Sequence, residues 1–324
     1  MRNSIGETKR TVCIFAGILI PVVLYVCIRL IFRISGGEWL SDDTSRTELF
    51  FETCILFYMS IALSLNLRSG SFDFSLGALA AFSAYSAAVM ARGGAMWIML
   101  AIFFGVILGI VSGGARILSG MTSAVSSLCF CLIFEGLLFV ISCGQQVNVF
   151  LPMGKLFDNA PLFCLHATGA LMLFYIFLRN TPFGYDYRAI CASRRIACAS
   201  GVDFATNKFI VYIVAGALMG VAGVMLCVKE GRSILPGLNF SSVRILFFAL
   251  LPLFLGRLIS RLTGELIGAF LGALCSAMIY SAMTQAGLSE NFQVISVSAA
   301  LLLLLIYMSN ERKIFNKIQI KKLT

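Results

Sequence analysis

The chain has 324 residues, of which 59% are hydrophobic and only 12% are charged, and its mean hydropathy is +0.94. This composition excludes a soluble globular domain, whose water-exposed surface needs a larger polar fraction. The net charge of +10 does not indicate a nucleic-acid-binding protein, because the basic residues are spread along loops and are not interleaved with stacking aromatic residues.

Apolar segments long enough to cross a bilayer recur along the chain. A helix needs roughly 20 mainly apolar residues to cross about 30 Å of hydrocarbon. The pattern therefore predicts an all-α, polytopic membrane protein with about ten transmembrane helices, forming a single membrane domain over residues 1–324. The predicted spans are 11–33, 48–67, 73–91, 94–112, 121–142, 161–178, 209–228, 244–256, 265–285 and 291–308.

Two of these spans have unusual features. The first apolar run, 11–33, resembles a signal peptide in position, but no small-residue cleavage site followed by a soluble body is present, so we expect it to be retained. The eighth, 244–256, is too short for a perpendicular crossing and contains Pro252, which predicts a broken or partly re-entrant segment.

The distribution of Lys and Arg predicts the orientation, since cytoplasmic loops retain positive charge. With ten spans, most of the 25 basic residues fall on one side, which includes both termini and the longest loop, 180–207. The first loop on the other side is acidic. We therefore expect a multi-pass protein of the plasma (inner) membrane with cytoplasmic N- and C-termini.

Two carboxylates are candidates for function. Asp73 stands at the start of the third span, where it is expected mainly to cap free backbone N–H groups, with a role as a solute ligand as the less favoured alternative. Glu135 lies in the middle of the otherwise charge-free fifth span, where burying a carboxylate is costly. Either a pathway role or a structural hydrogen bond to a neighbouring helix accounts for it. The translocation-path candidates are Asp73, Ser75, Glu135, Gln145 and Gln146.

Enzyme chemistry is not indicated by any motif. The single histidine, His166, lies on an apolar segment, and its spacing from the cysteines fits no zinc site. A phosphate-binding loop is also missing, since Gly154-Lys155 is followed by Leu156. We expect no catalytic residue, no metal and no cofactor, with any ATP bound by a partner subunit.

Small residues recur in two kinds of pattern. Glycines repeat at four-residue spacing in three predicted spans, and this spacing favours close helix packing in lipid. The first set is Gly105, Gly109 and Gly113, the second is Gly216 and Gly220, and the third is Gly264, Gly268 and Gly272. The 180–207 loop is also rich in Gly and Ala, and it predicts a short helix presented to the cytoplasm.

Three regions together resemble the permease subunits of ribose-type ABC importers, in the branched-chain amino acid and sugar permease superfamily. Residues 71–77, Ser-Phe-Asp-Phe-Ser-Leu-Gly, resemble the family's Gly-Ile-Asp-Leu-Ser-Val-Gly pattern. The 180–207 loop shares Gly184 and Ala189 and ends in Ser-Gly-Val at 200–202, and residues 255–272 resemble a Gly-rich loop and its following helix. Departures from the family pattern are Cys191, Ser193, Arg194, Arg257, Leu258, Arg261 and the acidic Glu135 before Gly136.

The resemblance implies a type II importer permease that carries a small polar solute, such as ribose or another monosaccharide. It implies as partners a cytoplasmic ABC ATPase, a homologous permease in a homo- or heterodimer, and an extracytoplasmic solute-binding protein, within a lipid bilayer and without nucleic acid. The implied ATPase-coupling residues are Gly184, Arg188, Ala189, Ser193, Arg194, Arg195, Ala197, Ser200 and Gly201.

Two other classes remain as alternatives to the importer subunit. A secondary transporter would use Glu135 as its proton- or ion-coupling group. A membrane enzyme or sensor is disfavoured because the chain has neither a catalytic set of residues nor a soluble output domain.

Overall fold

The computed structural model describes residues 2–91, 96–146, 174–231 and 237–321, together with positions 169, 172 and 233. The regular elements in these ranges are α-helices. In chain order they are α1 (Arg2–Ile34), α2 (Asp43–Arg68), α3 (Leu76–Ala91), α4 (Met96–Ser119), α5 (Ser123–Ser142), α6 (Pro182–Ala192), α7 (Arg194–Ala199), α8 (Phe204–Glu230), α9 (Val243–Thr263), α10 (Glu265–Gln285) and α11 (Glu290–Lys321).

Eight helices of the described ranges are long and apolar enough to cross a membrane, which confirms the prediction of an all-α, multi-spanning protein. They contain the segments Ile14–Ile34, Ser45–Arg68, Met96–Ser119, Ser123–Ser142, Phe204–Glu230, Val243–Thr263, Glu265–Gln285 and Asn291–Asn310. The predicted sixth span, 161–178, lies largely outside the described residues, as does His166.

The predicted eighth span, 244–256, is too short, and its helix is not broken at Pro252. The partly re-entrant alternative stays a prediction. Helix α9 has 21 residues and continues through Pro252 to Thr263, so it extends over roughly 31 Å and is long enough to cross. The predicted span ended at Gly256, directly before Arg257. A proline removes one backbone donor without ending a helix that its neighbours support, and Arg257 and Arg261 lie in the last turns, where long basic side chains reach toward the interface.

The predicted third span, 73–91, also begins too early. Helix α3 starts at Leu76 and has only 16 residues, which gives it a length of roughly 24 Å. The residues before it, 71–73, are not helical. The polar segment that the hydropathy pattern joined to this span is therefore a separate, non-helical connection.

The chain divides into two compact units, one formed by Asp42–Ala249 and the other by Met1–Ser41 with Leu250–Thr324. The prediction of a single membrane domain therefore stays a prediction. In the unit Asp42–Ala249, α8 packs against α2, α3 and α4. A Cβ atom added to Gly105 would lie 2.3 Å from the Gly216 carbonyl oxygen, and one added to Gly220 would lie 2.4 Å from that of Ala101. The α4–α8 packing thus confirms the predicted role of these glycines.

The unit containing both ends of the chain has a similar close contact between α9 and α10. A Cβ atom on Gly268 would meet the Ser260 backbone at 2.4 Å, and one on Gly272 would meet the Gly256 nitrogen at 2.3 Å. Helix α1 packs nearby, with Leu24 beside the buried Ile259. Gly268 and Gly272 of the third predicted set therefore also form a helix-packing face, whereas Gly264 precedes α10 and an added Cβ there meets nothing within 4 Å.

Candidate functional site

The connection between α2 and α3, residues 69–75, has one polar buried face. Ser69, Ser71, Asp73 and Ser75 alternate along it, and each is 5% exposed or less. The intervening Phe72 and Phe74 are half-buried, with their ring centroids 4.6 Å apart. This period of two is that of an extended segment, so one face turns serine and aspartate side chains into the fold.

Asp73 binds the start of α3. Its Oδ1 atom accepts hydrogen bonds from the Ser75 amide at 2.9 Å and from the Ser75 hydroxyl at 2.6 Å. The Ser75 carbonyl in turn accepts the Leu79 amide at 2.8 Å, as the first carbonyl of the helical ladder. The carboxylate therefore orders the helix start and lies at its positive end, where negative charge is stabilised.

Helix α3 begins near the middle of its neighbours. Phe82 packs on Phe134 in the second half of α5. Gly223, in the second half of α8, approaches the Ala80 carbonyl so closely that an added Cβ would lie 2.2 Å from the oxygen. Midway along α3, the Ala84 carbonyl accepts a hydrogen bond from the Trp97 indole, near the start of α4, at 3.1 Å. Leu76 therefore lies about half-way along α5 and α8, deep within the bundle.

Glu135 performs a similar role for α9. Its carboxylate is fully buried and accepts the Phe240 amide at 3.0 Å, the Ser242 amide at 2.8 Å and the Ser242 hydroxyl at 2.5 Å. The Cys131 thiol, one helical turn earlier, lies 3.2 Å from the same hydroxyl. Charge-assisted hydrogen bonds of this kind offset the cost of burying a carboxylate in an apolar span.

The turn that Glu135 holds is strained. Asn239 and Phe240 have φ angles of +77° and +63°, in the left-handed region that side chains other than glycine rarely adopt. Such residues cost on the order of 1 to 3 kcal/mol each and persist only where surrounding contacts enforce them. The Glu135 carboxylate, on the neighbouring α5, supplies those contacts.

The starts of α3 and α9 touch each other at Gly77. A Cβ atom there would lie 2.2 Å from the Ser242 carbonyl oxygen, a distance that no side chain can accommodate without backbone movement. The contact brings together two helix N-termini, each with its own buried carboxylate. Helices that begin inside a membrane protein are typical of substrate or ion pathways in transporters.

The other predicted pathway residues do not join this group. Gln145 and Gln146 are exposed and follow the turn that ends α5, with the Gln145 amide bonded to the Ser142 carbonyl at 2.9 Å. Of the five candidates, the structure therefore brings together Asp73, Ser75 and Glu135, through the contact at Gly77.

The 180–207 loop forms two short helices, α6 and α7, where the sequence predicted one. Thr181 caps α6 by accepting the Gly184 amide at 3.2 Å, and Ser193 separates the two helices. A Cβ on Gly184 would lie 2.1 Å from the Leu178 carbonyl oxygen, so glycine is required there. Gly201 has a φ of +90°, a conformation that also favours glycine.

Helix α6 is attached to the last turn of α2. The buried Tyr187 hydroxyl donates to the Leu65 carbonyl at 3.3 Å, and the Cys191 thiol donates to the Arg68 carbonyl at 3.6 Å. In the same turn, the Asn66 carbonyl accepts the Ser69 and Ser71 hydroxyls at 2.8 and 3.2 Å. The end of α2 thus binds both α6 and the buried 69–75 segment.

The predicted coupling residues fall into three groups. Arg188 bonds back to the Gly184 and Arg179 carbonyls, and the Arg194 guanidinium lies 3.8 Å from the centre of the Phe204 ring. Both arginines therefore stabilise the loop itself. Ala197 and Gly184 are buried and Ser193 is half-buried, whereas the remaining residues are exposed: Ala189, Arg195, Ser200 and Gly201.

Sequence reasoning missed several residues of the site. Tyr187 had a usable signal, because Gly184, Tyr187 and Ile190 recur every three residues along the buried face of α6. Asn66 is a polar residue in an apolar span, which is a weaker signal. Ser242 had no sequence signal, since serine is a common residue at the start of a helix.

Known proteins match the chain over most of its length. Residues 46–308 match the family described as the permease component of the branched-chain amino acid transport system. The fructose import permease protein FruG of Bifidobacterium longum is 23% identical over 237 residues, which cover 66% of this chain and 69% of that protein. The D-allose transport system permease protein AlsC of Escherichia coli is 24% identical over 231 residues, with the same two coverages.

The ribose import permease protein RbsC of Bacillus subtilis is 26% identical over 179 residues, covering 52% of this chain and 55% of that protein. No solved structure matches the chain significantly. The resemblance to sugar importer permeases drawn from the sequence motifs is thereby confirmed, and the chain belongs to the family of branched-chain amino acid transport system permease components.

Proposed function

We propose that this chain is the membrane-spanning permease subunit of an ABC importer for a monosaccharide. The observation that carries the proposal is the family match over residues 46–308. The names of the relatives support a sugar as the solute, since they specify fructose, D-allose, galactofuranose, ribose and L-arabinose. This range of names favours the chemical class over any single sugar.

The α6–α7 surface fits a docking site for a cytoplasmic ATPase. It exposes apolar side chains that a soluble surface would bury, with Ile196 68% exposed and Tyr185 61% exposed. The exposed Arg195 lies beside them, and arginines and aromatic residues are enriched at protein interfaces. On this assignment α6 and α7 are cytoplasmic, as are both termini, in the plasma membrane.

The mechanism follows from the attachments of α6. Closure of an ATPase pair moves α6, which carries the last turn of α2 through the Tyr187–Leu65 and Cys191–Arg68 hydrogen bonds. The Asn66 carbonyl transmits that movement to Ser71 and so to Asp73 and the start of α3. The spans then alternate between outward-open and inward-open states as the population shifts. A second permease completes the pathway, and an extracytoplasmic binding protein delivers the solute.

The alternative of a secondary transporter coupled through Glu135 is less well supported. A coupling carboxylate must bind and release its proton or ion during the cycle. Both oxygens of Glu135 accept hydrogen bonds from backbone amides of residues 240 and 242. This arrangement favours a permanently engaged carboxylate.

The test is uptake of labelled monosaccharides by cells that express the chain with a cognate ATPase and binding protein. We expect uptake to stop when ATP is depleted while the proton gradient is maintained. Uptake that continues under that condition contradicts the importer assignment.

A second experiment tests the docking surface. The substitution Arg195→Glu reverses an exposed charge on α7 and is expected to reduce co-purification of the ATPase and uptake together. Arg195→Lys keeps the charge and serves as the control. If Arg195→Glu leaves both readouts unchanged, the ATPase docks elsewhere.

A further inference from the structure

Unpartnered polar atoms concentrate in one part of the unit Asp42–Ala249. Among the described residues, six buried side-chain nitrogen or oxygen atoms have no hydrogen-bond partner. Five of the six belong to four residues of this unit: Asn66 Nδ2 and Oδ1, Asp73 Oδ2, Arg116 Nη1 and the Tyr212 hydroxyl. Each residue is at least nine-tenths buried, since their exposures are 0%, 1%, 9% and 3%.

The four residues come from four elements that converge on α8. Asn66 is in the last turns of α2, Asp73 in the 69–75 segment, Arg116 in the last turn of α4, and Tyr212 in α8 itself. The Arg116 guanidinium lies 5.3 Å from the centre of the Tyr212 ring and attracts the Asp73 carboxylate electrostatically. Asn66 is tied to the same segment as Asp73, because its carbonyl accepts the Ser71 amide and hydroxyl.

Local contacts already hold these side chains in place. Asp73 Oδ1 is occupied by the two Ser75 donors, which leaves Oδ2 pointing elsewhere. Tyr212 is wedged against α4, since a Cβ atom on Gly113 would lie 2.8 Å from its own Cβ. Buried polar groups almost always have a partner, because leaving one unpaired costs roughly 1 to 3 kcal/mol. Five such atoms together call for a ligand that satisfies them.

The chemistry of the atoms specifies an uncharged ligand that both donates and accepts. Arg116 and the Asn66 amide nitrogen donate, Asp73 and the Asn66 amide oxygen accept, and the Tyr212 hydroxyl does either. One positive and one negative group balance each other, so neither an anion nor a cation is favoured. Hydroxyl groups fit this set, and they come either from water or from a sugar.

We propose that Asn66, Asp73, Arg116 and Tyr212 form a buried hydration site, in which ordered water bridges the ends of α2 and α4 to α8 and the start of α3. Water is the occupant because these side chains are 9% exposed or less, so a sugar-sized molecule would have to displace the groups around them. A buried water with two to four polar partners is stably held. The proposal does not depend on which solute the protein carries.

The test is hydroxyl-radical footprinting by a short X-ray pulse, applied to the full chain in lipid nanodiscs. Radicals formed from an ordered water attack the side chain beside it, even where bulk solvent does not reach. We expect the Tyr212 ring to be oxidised several-fold faster than Tyr280, which is as deeply buried at 4% exposure and whose hydroxyl is not among the unpartnered atoms. In water enriched in oxygen-18, the added oxygen on Tyr212 should carry the label.

A variant provides the second arm. Asn66→Leu replaces an amide with an apolar group of similar size, removes two of the five atoms, and is expected to lower Tyr212 oxidation several-fold without changing Tyr280. Equal oxidation of Tyr212 and Tyr280 in the unaltered chain, which needs no variant to fold, overturns the proposal. So does loss of Tyr212 oxidation on adding ribose or fructose, because the hydroxyl groups would then come from the solute.

Discussion

Glu135 illustrates how a single side chain acquires a role from distant partners. Its position in an apolar span was compatible with a pathway group and with a structural hydrogen bond. The structure gives it two backbone amides and a hydroxyl from residues 240 and 242, more than a hundred residues away. Its carboxylate thus holds a strained turn and the start of α9. The three hydrogen bonds from one turn favour the structural role of Glu135 over the pathway role.

We expect Glu135→Gln to keep measurable uptake with lowered thermal stability. The Gln amide carbonyl still accepts Ser242, but its NH₂ group faces the Phe240 amide, and one unsatisfied donor costs roughly 1 to 3 kcal/mol. Glu135→Ala leaves both amides unpaired and should lose on the order of 3 kcal/mol or more. Thermal melting in detergent and uptake at a permissive temperature measure both effects. Unchanged melting with abolished uptake in Glu135→Gln points instead to a coupling carboxylate.

Gly77 permits the contact between the two helix starts. We expect Gly77→Ala to destabilise the protein by about 2 to 3 kcal/mol, because the added methyl group meets the Ser242 carbonyl oxygen, which is backbone and cannot yield cheaply. Gly136→Ala is a matched control, since its Cβ has nothing within 4 Å and alanine favours a helix interior by about 1 kcal/mol over glycine. Thermal melting should fall for the first variant and hold or rise for the second. Equal melting of both variants contradicts the close approach.

At the scale of elements, α6 is the helix whose attachments connect the loop to the bundle. Tyr187 and Cys191 both donate to carbonyls at the end of α2. The Leu65 carbonyl accepts the Ser69 amide at 3.2 Å as well as the Tyr187 hydroxyl, so α6 adds to the hydrogen bonds that already end α2. Movement of α6 is therefore coupled to α2 through two bonds on one side of the helix.

We expect Tyr187→Phe to reduce uptake while the protein still folds. The substitution removes one hydrogen bond, worth about 1 kcal/mol net, and keeps the aromatic packing. Melting should change little, while uptake per ATP hydrolysed should fall. Tyr307→Phe is the control, because Tyr307 is 52% exposed and lies in α11, outside the α6–α7 surface. Equal uptake by the two variants shows that the Tyr187 hydroxyl does not transmit movement.

The two cysteines of this loop report its sidedness with different reactivity. Burial raises the pKa of the Cys191 thiol, whereas Cys198 is exposed. The thiolate is the reactive form, so a raised pKa leaves less of it at neutral pH. In chains that retain only one of these cysteines, a maleimide should label Cys198 rapidly and Cys191 slowly, and labelling of Cys191 should speed up as the pH rises.

The same experiment locates the loop. A maleimide that does not cross membranes should label Cys198 only after cells are permeabilised. Labelling in intact cells places α7 outside and excludes an ATPase docked on it.

For the whole molecule, the expected even number of crossings predicts that both ends of the chain lie in the cytoplasm. Green fluorescent protein fused to the C-terminus should therefore fluoresce, and alkaline phosphatase inserted in the first outer loop, near residue 42, should be active. An inactive phosphatase there, together with a dark C-terminal fusion, reverses the orientation. Either single failure indicates an odd number of crossings.

The helical content of the fold was predictable because it follows from local chemistry. Backbone groups in lipid must bond within their own segment, so apolar runs of sufficient length form helices wherever they lie. Errors arose where hydropathy and charge alone set the ends of a span: the arginines at the end of α9 shortened that span, and Asp73 was assigned to a helix that begins at Leu76. The glycine faces of α4, α8 and α10 were also predictable, from their four-residue spacing.

The sequence by itself determined that this is a helical membrane protein with two unusual carboxylates, and that it resembles sugar importer permeases. Only the tertiary structure decided what those carboxylates bind. Glu135 and Ser242 are 107 positions apart, and Gly77 meets Ser242 from a third element. Such pairings depend on how helices pack, and packing is set by shape complementarity between distant segments, which leaves no local pattern in the chain.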